Sequence, residues 1–253
     1  MYKEHKEKIV ATIEARMTST RLPGKVLLPL AGKPALERLV ERLKRSLYID
    51  EIVVATTTNQ TDEPIVELCE SLGVKYFRGS ELDVLKRVLG AAESVRADII
   101  VEITGDCPLM DWRIVDRGIE EFYSQNVDYA ANMIPLITYP VGFDVQVFPV
   151  RVLAEVDKLT SDPIDRVHVS YYIYHHPDRY KLGSWLAPAE ASGPAMRLTL
   201  DELSDYKLID EIFRNLLPVD EDFSVVKVVE FLNKNRHLLE INKHVKDKDP
   251  RQG

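Results

Sequence analysis

The sequence predicts an α/β fold, a mostly parallel central sheet with helices on both faces. Three observations carry this. Apolar runs of strand length recur in the first half, at Ile9–Ile13, Ile52–Thr56, Val74–Phe77 and Ile99–Thr104. Between them lie stripes at helical spacing, such as Leu36, Leu39, Val40, Leu43 and Leu47. Strands alternating with helices of this length build βαβ units with right-handed crossovers.

The elements follow in order. Ile9–Ile13 is a buried first strand, opening into the polar loop Ala15–Lys25. Pro34 suits a first helical position. Ile52–Thr56 is the second strand. Thr61-Asp-Glu-Pro64 opens a helix that Gly73 closes. Val74–Phe77 is a short strand, and Ser80 is placed to cap a helix from Glu81 to Val95. Ile99–Thr104 ends at Gly105-Asp106-Cys107-Pro108, and Asp111 caps a helix from Trp112 to Ser124. The second half is less regular. Phe143–Phe148 alternates as a half-exposed strand, with Asp144 and Gln146 on its polar face. Helices are expected at Val150–Leu159 and Pro163–His175, a strand at Met196–Leu200, and helices at Ser204–Asn215 and Ser224–Asn235. Asn242–Gly253 reads as a frayed tail. With no repeat or low-complexity linker, residues 1–253 are expected to form a single domain.

Composition narrows the function. Of 253 residues, 45% are apolar and 29% charged, with a net charge of −8. A nucleic-acid or anionic-membrane surface needs a broad basic footprint, so neither is expected. Cys69 and Cys107 have no metal-site spacing and imply no disulfide framework. The charged start Met1–Lys8 has no signal-peptide stretch, and no run reaches transmembrane length, so a cytoplasmic protein is expected.

The cations of the first loop are therefore local. Arg16, Arg21 and Lys25, with Ser19 and backbone N–H groups, make a natural cradle for phosphate oxygens. The loop is neither a Walker P-loop nor a G-x-G-x-x-G turn. In open α/β sheets, ligands bind beyond the carboxyl ends of the strands. Those ends deliver Thr56–Asn59, Arg78-Gly79-Ser80, Asp106 and Asp201. Cations, hydroxyls and two carboxylates describe a metal–polyphosphate site. Mg²⁺ takes one or two carboxylates plus phosphate oxygens, and Asp106 and Asp201 are its candidate ligands.

Several motifs then carry a resemblance. Ala15-Arg-Met-Thr-Ser-Thr-Arg-Leu-Pro-Gly-Lys25 and Leu30-Ala-Gly-Lys-Pro34 are followed by Val54-Ala-Thr-Thr-Thr-Asn59 and Phe77–Arg87. Thr104-Gly-Asp-Cys-Pro-Leu109, Tyr139-Pro-Val-Gly-Phe-Asp144 and Asp165-Arg-Val-His168 come after. Together they cover most of residues 8–217 and resemble the CMP-sugar synthetases, the acylneuraminate and 3-deoxy-manno-octulosonate cytidylyltransferases. The nearest likeness is to their spore-coat polysaccharide branch.

The resemblance implies a Rossmann-like, GT-A-like nucleotidyltransferase fold with a small strand and helix extension, often a homodimer. Residues 8–131 would bind nucleotide, 132–217 acceptor and partner subunit, and 218–253 would form a closing helix and tail. It implies CTP, Mg²⁺ and a 2-keto-3-deoxy sugar acid as small-molecule partners. Arg16 and Lys25 fall on the family's phosphate-binding positions, Asp106 and Asp201 on its metal positions. Ala15, Ser19, Arg21, Thr56, Arg78, Gly79 and Ser80 complete the expected nucleotide site. Asp144, Gln146 and His168 are placed near the acceptor, and Asn132–Pro140 is expected as an acceptor loop.

The chain departs from the family at Gln146 and Val167, where acidic residues are usual, and at Asp201-Glu-Leu-Ser-Asp-Tyr206, which replaces the usual late motif. These departures bear on acceptor identity more than on nucleotide chemistry. Competing readings are a transferase using GTP or a phosphorylated acceptor, a glycosyltransferase and a non-catalytic homologue. A glycosyltransferase fits less well, because Thr104-Gly-Asp106 lacks the second Asp of a D-x-D motif.

Overall fold

A computed structural model describes residues 7–246. β1 (Ile9–Glu14) is buried along almost its whole length, as its apolar run requires. The cationic loop follows. It closes where the Gly24 N–H donates to the Met17 carbonyl at 2.9 Å, and it ends in a 3₁₀ turn over Lys25–Leu27. β2 (Pro29–Leu30) and β3 (Lys33–Pro34) form a short antiparallel hairpin. α1 (Ala35–Leu43) buries Leu36, Leu39, Val40 and Leu43. β4 (Glu51–Thr57), α2 (Glu63–Ser71), β5 (Lys75–Gly79), α3 (Val84–Ser94), β6 (Ile99–Thr104) and α4 (Trp112–Gln125) complete the alternating half. β7 (Tyr129–Ala131), β8 (Gln146–Pro149), α5 (Val150–Leu159), α6 (Pro163–Val167), α7 (Tyr171–His175), β9 (Leu182–Ser184), α8 (Leu203–Leu216) and α9 (Val225–Lys234) follow.

The central sheet has seven strands in the order β5-β4-β1-β6-β8-β7-β9. β5, β4, β1 and β6 are parallel, and β8 runs antiparallel to both β6 and β7. One face packs under α1, α4, α8 and α9, through Leu36, Ile119, Ile209 and Val228. The other packs under α3, α5 and α7, through Leu85, Val88, Leu153 and Ile173. The strand order reverses around β1, so the crevice lies at the carboxyl ends of β1 and β6. Among the described residues no helix is long and apolar enough to cross a membrane.

Several expectations are corrected. α3 begins three residues later than expected, because Asp83 caps it by accepting from the Lys86 N–H at 3.0 Å. The Ser80 hydroxyl instead accepts from the Asp83 N–H. The helix expected over Pro163–His175 breaks at His168–Ser170, where Val169 has a φ of 27°. Left-handed backbone is unusual for a β-branched residue, and the break lets the Ser170 hydroxyl reach the Gln146 amide oxygen.

Met196–Leu200 is not a sheet strand. It crosses the strand ends with one bridge, Arg197 to Val141, while the Leu200 N–H donates to the Asp106 carbonyl at 2.7 Å. Gly142 permits this approach, since a Cβ there would stand 2.7 Å from the Leu198 carbonyl oxygen. β8 starts only at Gln146, because the Asn132 side chain bonds the Phe143 carbonyl and the Val145 N–H ahead of it. The segment expected as an acceptor loop is buried at Asn132, Tyr139 and Pro140 and exposed at Pro135, Leu136 and Ile137. Asn242 is not frayed. It is buried, donating to the Arg197 carbonyl and to Asp205. The rest of the expected tail, from residue 247, lies outside the described residues.

Candidate active site

The site forms where β1 and β6 end side by side, with Glu14 in register with Thr104. Gly105 makes this possible. Its N–H donates to the Glu14 carbonyl at 2.9 Å, and a Cβ would fall 2.5 Å from that oxygen. The chain therefore leaves β6 close against β1 and presents Asp106 to the cationic loop. A cavity of about 310 Å³ opens there, lined by Glu14, Ala15, Arg16, Ser19, Arg21, Lys25, Arg87, Asp106, His168 and Asp201, among others.

Lys25 is the centre of the charge arrangement. Its Nζ stands 2.7 Å from Asp106 Oδ2 and 2.9 Å from Asp201 Oδ1. Burial works to lower the Lys25 pKa, but the two aspartates outweigh it and hold the ammonium above its ordinary value. Burial likewise works to raise the Asp106 carboxyl, while Lys25 and hydrogen bonds hold it below its ordinary value. Asp201 also receives Arg21 at 2.7 Å and Arg197 at 2.6 Å. One guanidinium nitrogen of Arg21, Nη1, is buried with no protein partner. An anionic ligand would satisfy it.

Two buried aspartates hold this arrangement in place. Asp62 accepts from the Met17 N–H at 2.9 Å, Thr57 Oγ1 at 2.6 Å, Thr56 Oγ1 at 3.0 Å and the Thr57 N–H at 3.1 Å. It ties the cationic loop to the end of β4. Asp205 accepts from the N–H groups of Asp201 at 3.1 Å and Glu202 at 2.9 Å. Glu81 takes Arg16 at 3.1 Å and the Asn59 amide at 2.7 Å, and it also bonds Thr18.

The structure therefore brings Ala15, Arg16, Ser19, Arg21, Lys25, Asp106, His168 and Asp201 to one cavity. Other expected residues stand elsewhere. Thr56 is fully buried and bonds Asp62, so its hydroxyl anchors the loop. Arg78 bonds the Thr57 and Asn59 carbonyls and Glu63, bracing the β4 exit. Gly79 and Ser80 lie outside the cavity lining. Gln146 accepts from the Tyr129 hydroxyl at 2.6 Å and from Ser170, and is not among the lining residues. Asp144 is also absent from the lining. Burial first, and the charge of Asp106 second, push its carboxyl up to about 6.

Asp62, Asp205, Glu14 and Glu102 were not singled out from the sequence. For Glu14 and Glu102 a signal exists: Glu102 interrupts an otherwise apolar strand run, and Glu14 directly ends one. Burial drives both carboxyls up, Glu14 to about 7 and Glu102 well above its ordinary value, with Asp106 adding to the first and Glu14 to the second.

No group of three or more His, Cys, Asp or Glu able to hold a metal occurs among the described residues. Asp106 and Asp201, converging on one ammonium, instead fit an ion that takes two carboxylates and completes its shell with phosphate oxygens. A Rossmann-like sheet with this cation-and-aspartate cluster at its switch point defines a nucleotidyltransferase. Residues 10–244 match the cytidylyltransferase family model, and the chain belongs to that family.

The chain is 33% identical to the spore coat polysaccharide biosynthesis protein SpsF of Bacillus subtilis, over 90% of this chain and 95% of that protein. A cytidylyltransferase structure from Leptospira borgpetersenii superposes with a TM-score of 0.87 at 31% identity, covering 96% of this chain and 100% of that one. The fold also matches CMP:2-keto-3-deoxy-manno-octonic acid synthetase solved with CTP, with a TM-score of 0.65 at 20% identity, over 83% of this chain and 100% of that one.

Proposed function

We propose that this enzyme joins CTP to a 2-keto-3-deoxy sugar acid, releasing pyrophosphate and a CMP-sugar for surface polysaccharide synthesis. The observation that carries the reading is the Lys25 ammonium, set 2.7 and 2.9 Å from two aspartates beside a cation-lined loop. The relatives' names support the base and the acceptor class. CTP supply favours the cytoplasm, and a homodimer completes the reading.

The acceptor hydroxyl oxygen attacks the α-phosphorus, the bond to pyrophosphate breaks, and the hydroxyl proton is released to water. Such transfer depends on positioning and charge neutralisation. Mg²⁺ held by Asp106 and Asp201 would supply charge neutralisation at the α-phosphate and a lowered pKa for the attacking hydroxyl. Lys25 leaves the aspartates for phosphate oxygens. Arg21 gives its unpartnered Nη1 to the β- or γ-phosphate. Arg16 stabilises charge on the departing group, and Ser19 contributes a hydroxyl donor. His168 faces the acceptor from the helix break.

A pyrophosphate-release screen with four nucleotides and a set of sugar acids tests the reading. CTP is expected to be the preferred nucleotide, and Asp106→Asn and Lys25→Ala to abolish release in folded protein. Wild-type turnover in either variant removes the roles assigned to these residues.

A further inference from the structure

The cavity has two ends of opposite character. At the loop end, Arg16, Arg21 and Lys25 offer N–H donors. At the sheet end stand carboxyls carried by the strands themselves. Glu14 lines the cavity. The β1–β6 register pairs Thr12 with Glu102 and Glu14 with Thr104, so Glu14 and Glu102 are diagonal neighbours on one face of the sheet. Glu102 is only 4% exposed.

Both carboxyls are left short of donors. Glu14 Oε1 and Glu102 Oε2 are buried and accept no hydrogen bond. Glu102 otherwise meets the Ser170 hydroxyl, whose own proton goes to the Gln146 amide oxygen. The cations nearby are engaged elsewhere. Arg87 attracts Glu14 by charge, but its Nε donates to the Ala55 carbonyl at 3.2 Å and its Nη1 to the Ser80 carbonyl at 2.5 Å. Arg16 pairs with Glu81, and Lys25 and Arg21 with the aspartates. Asp144, pushed up by burial and by the charge of Asp106, is a further carboxyl close by. Buried oxygens without donors are costly, and native proteins rarely leave them so without a ligand or functional cause.

A group with several N–H donors and a positive charge answers both deficits at once. We propose that the sheet end of the cavity is a subsite for a protonated amino group on the acceptor, held by Glu14 with Glu102 behind it. This rests on the cytidylyltransferase reading and narrows the acceptor to an amino-substituted sugar acid. Acylation of that amine would remove its charge and all but one donor, and would add bulk against the strand ends.

The test measures pyrophosphate release by the full chain with CTP and Mg²⁺. The acceptors are 3-deoxy-manno-octulosonate, a series of its amino-substituted analogues, and the N-acetylated form of each. One free-amine analogue is expected to exceed both the unsubstituted acid and its own N-acetyl form by about tenfold or more in kcat/KM. Glu14→Gln is expected to raise the KM for that analogue about tenfold, to erase the amine preference, and to leave the KM for CTP within about twofold. The wild-type comparison stands whether or not the variant folds.

Equal or better use of the N-acetylated or unsubstituted acid overturns the subsite. So does a Glu14→Gln variant that keeps the preference, or inertness of every amine while CTP binds. CTP binding is read separately, as a rise in wild-type melting temperature. Its absence sinks the cytidylyltransferase reading itself.

Discussion

Replacing Lys25 with Met removes the ammonium that stands 2.7 Å from Asp106 and 2.9 Å from Asp201. The two carboxylates fare differently. Asp201 keeps Arg21 at 2.7 Å and Arg197 at 2.6 Å. Asp106 has no second salt-bridge partner among the described contacts. Breaking a fully buried ion pair from one side costs about 3–5 kcal/mol. The Asp106 side chain is 24% exposed, and the water it meets brings the expected loss of stability to about 2 kcal/mol.

A divalent ion experiences the reverse. In the wild type it must displace an ammonium from two charge-assisted hydrogen bonds, each worth about 1.5–3 kcal/mol. The ammonium recovers most of this in water, leaving a net competition of about 1–2 kcal/mol, or roughly tenfold in affinity. Lys25→Met should therefore bind Mn²⁺ about tenfold more tightly than wild type without nucleotide. The advantage should vanish with CTP, because Lys25 has then moved to the phosphates. Electron paramagnetic resonance of free Mn²⁺, titrated with and without CTP, reads the affinity, and urea denaturation reads the stability. A variant as stable as wild type that binds Mn²⁺ no more tightly would refute the view that ammonium and metal compete for one pair of carboxylates.

Two further outcomes are expected. Asp62→Ala leaves four donors from Met17, Thr56 and Thr57 without their acceptor, which should lower stability by about 2–4 kcal/mol in urea unfolding and raise the KM for CTP as the loop loses its anchor. Glu14 gives a pH signature: its folded pKa of about 7 lies above its unfolded value, so its contribution to stability is full below about pH 4.5 and is lost as pH rises through 7. Glu14→Gln should therefore gain on wild type between pH 5 and pH 8, by at most about 3 kcal/mol; a melting-temperature difference flat across that range would contradict the raised carboxyl.

The elements that carry their own period were legible without coordinates. β6 and α5 have the expected bounds, because Ile99–Thr104 is a continuous apolar run and Val150–Leu159 has a clean stripe. The cavity lining around Arg16, Lys25, Asp106 and Asp201 was legible because strand ends in such sheets converge. What escaped was structure set by long-range hydrogen bonds. Met196–Leu200 has a strand's composition, yet Gly142 and the Asp106 carbonyl draw it across the sheet ends. The break at Val169 follows from contacts that Ser170 makes with β8, and nothing local encodes it. Thr56 and Arg78 looked like ligand groups because they sit at strand ends, but their partners, Asp62 and the β4 exit, lie on neighbouring turns.

These long-range bonds also explain why the two aspartates can form a prebuilt site. Asp106 and Asp201 belong to segments with no shared sheet pairing. They are joined through the backbone, where the Leu200 N–H meets the Asp106 carbonyl at 2.7 Å. Asp205, itself gripped by Asn242 at 2.9 Å, fixes the Asp201 N–H. The spacing of the carboxylates is thus set by main-chain contacts that no ligand has to form. Two carboxylates held at fixed spacing repel unless a cation lies between them, and in the free protein Lys25 is that cation. On the proposed function, a triphosphate that draws Lys25 away would leave the same fixed pair as an acceptor for a divalent ion. Metal entry and nucleotide arrival would then be coupled by electrostatics, without any change of fold.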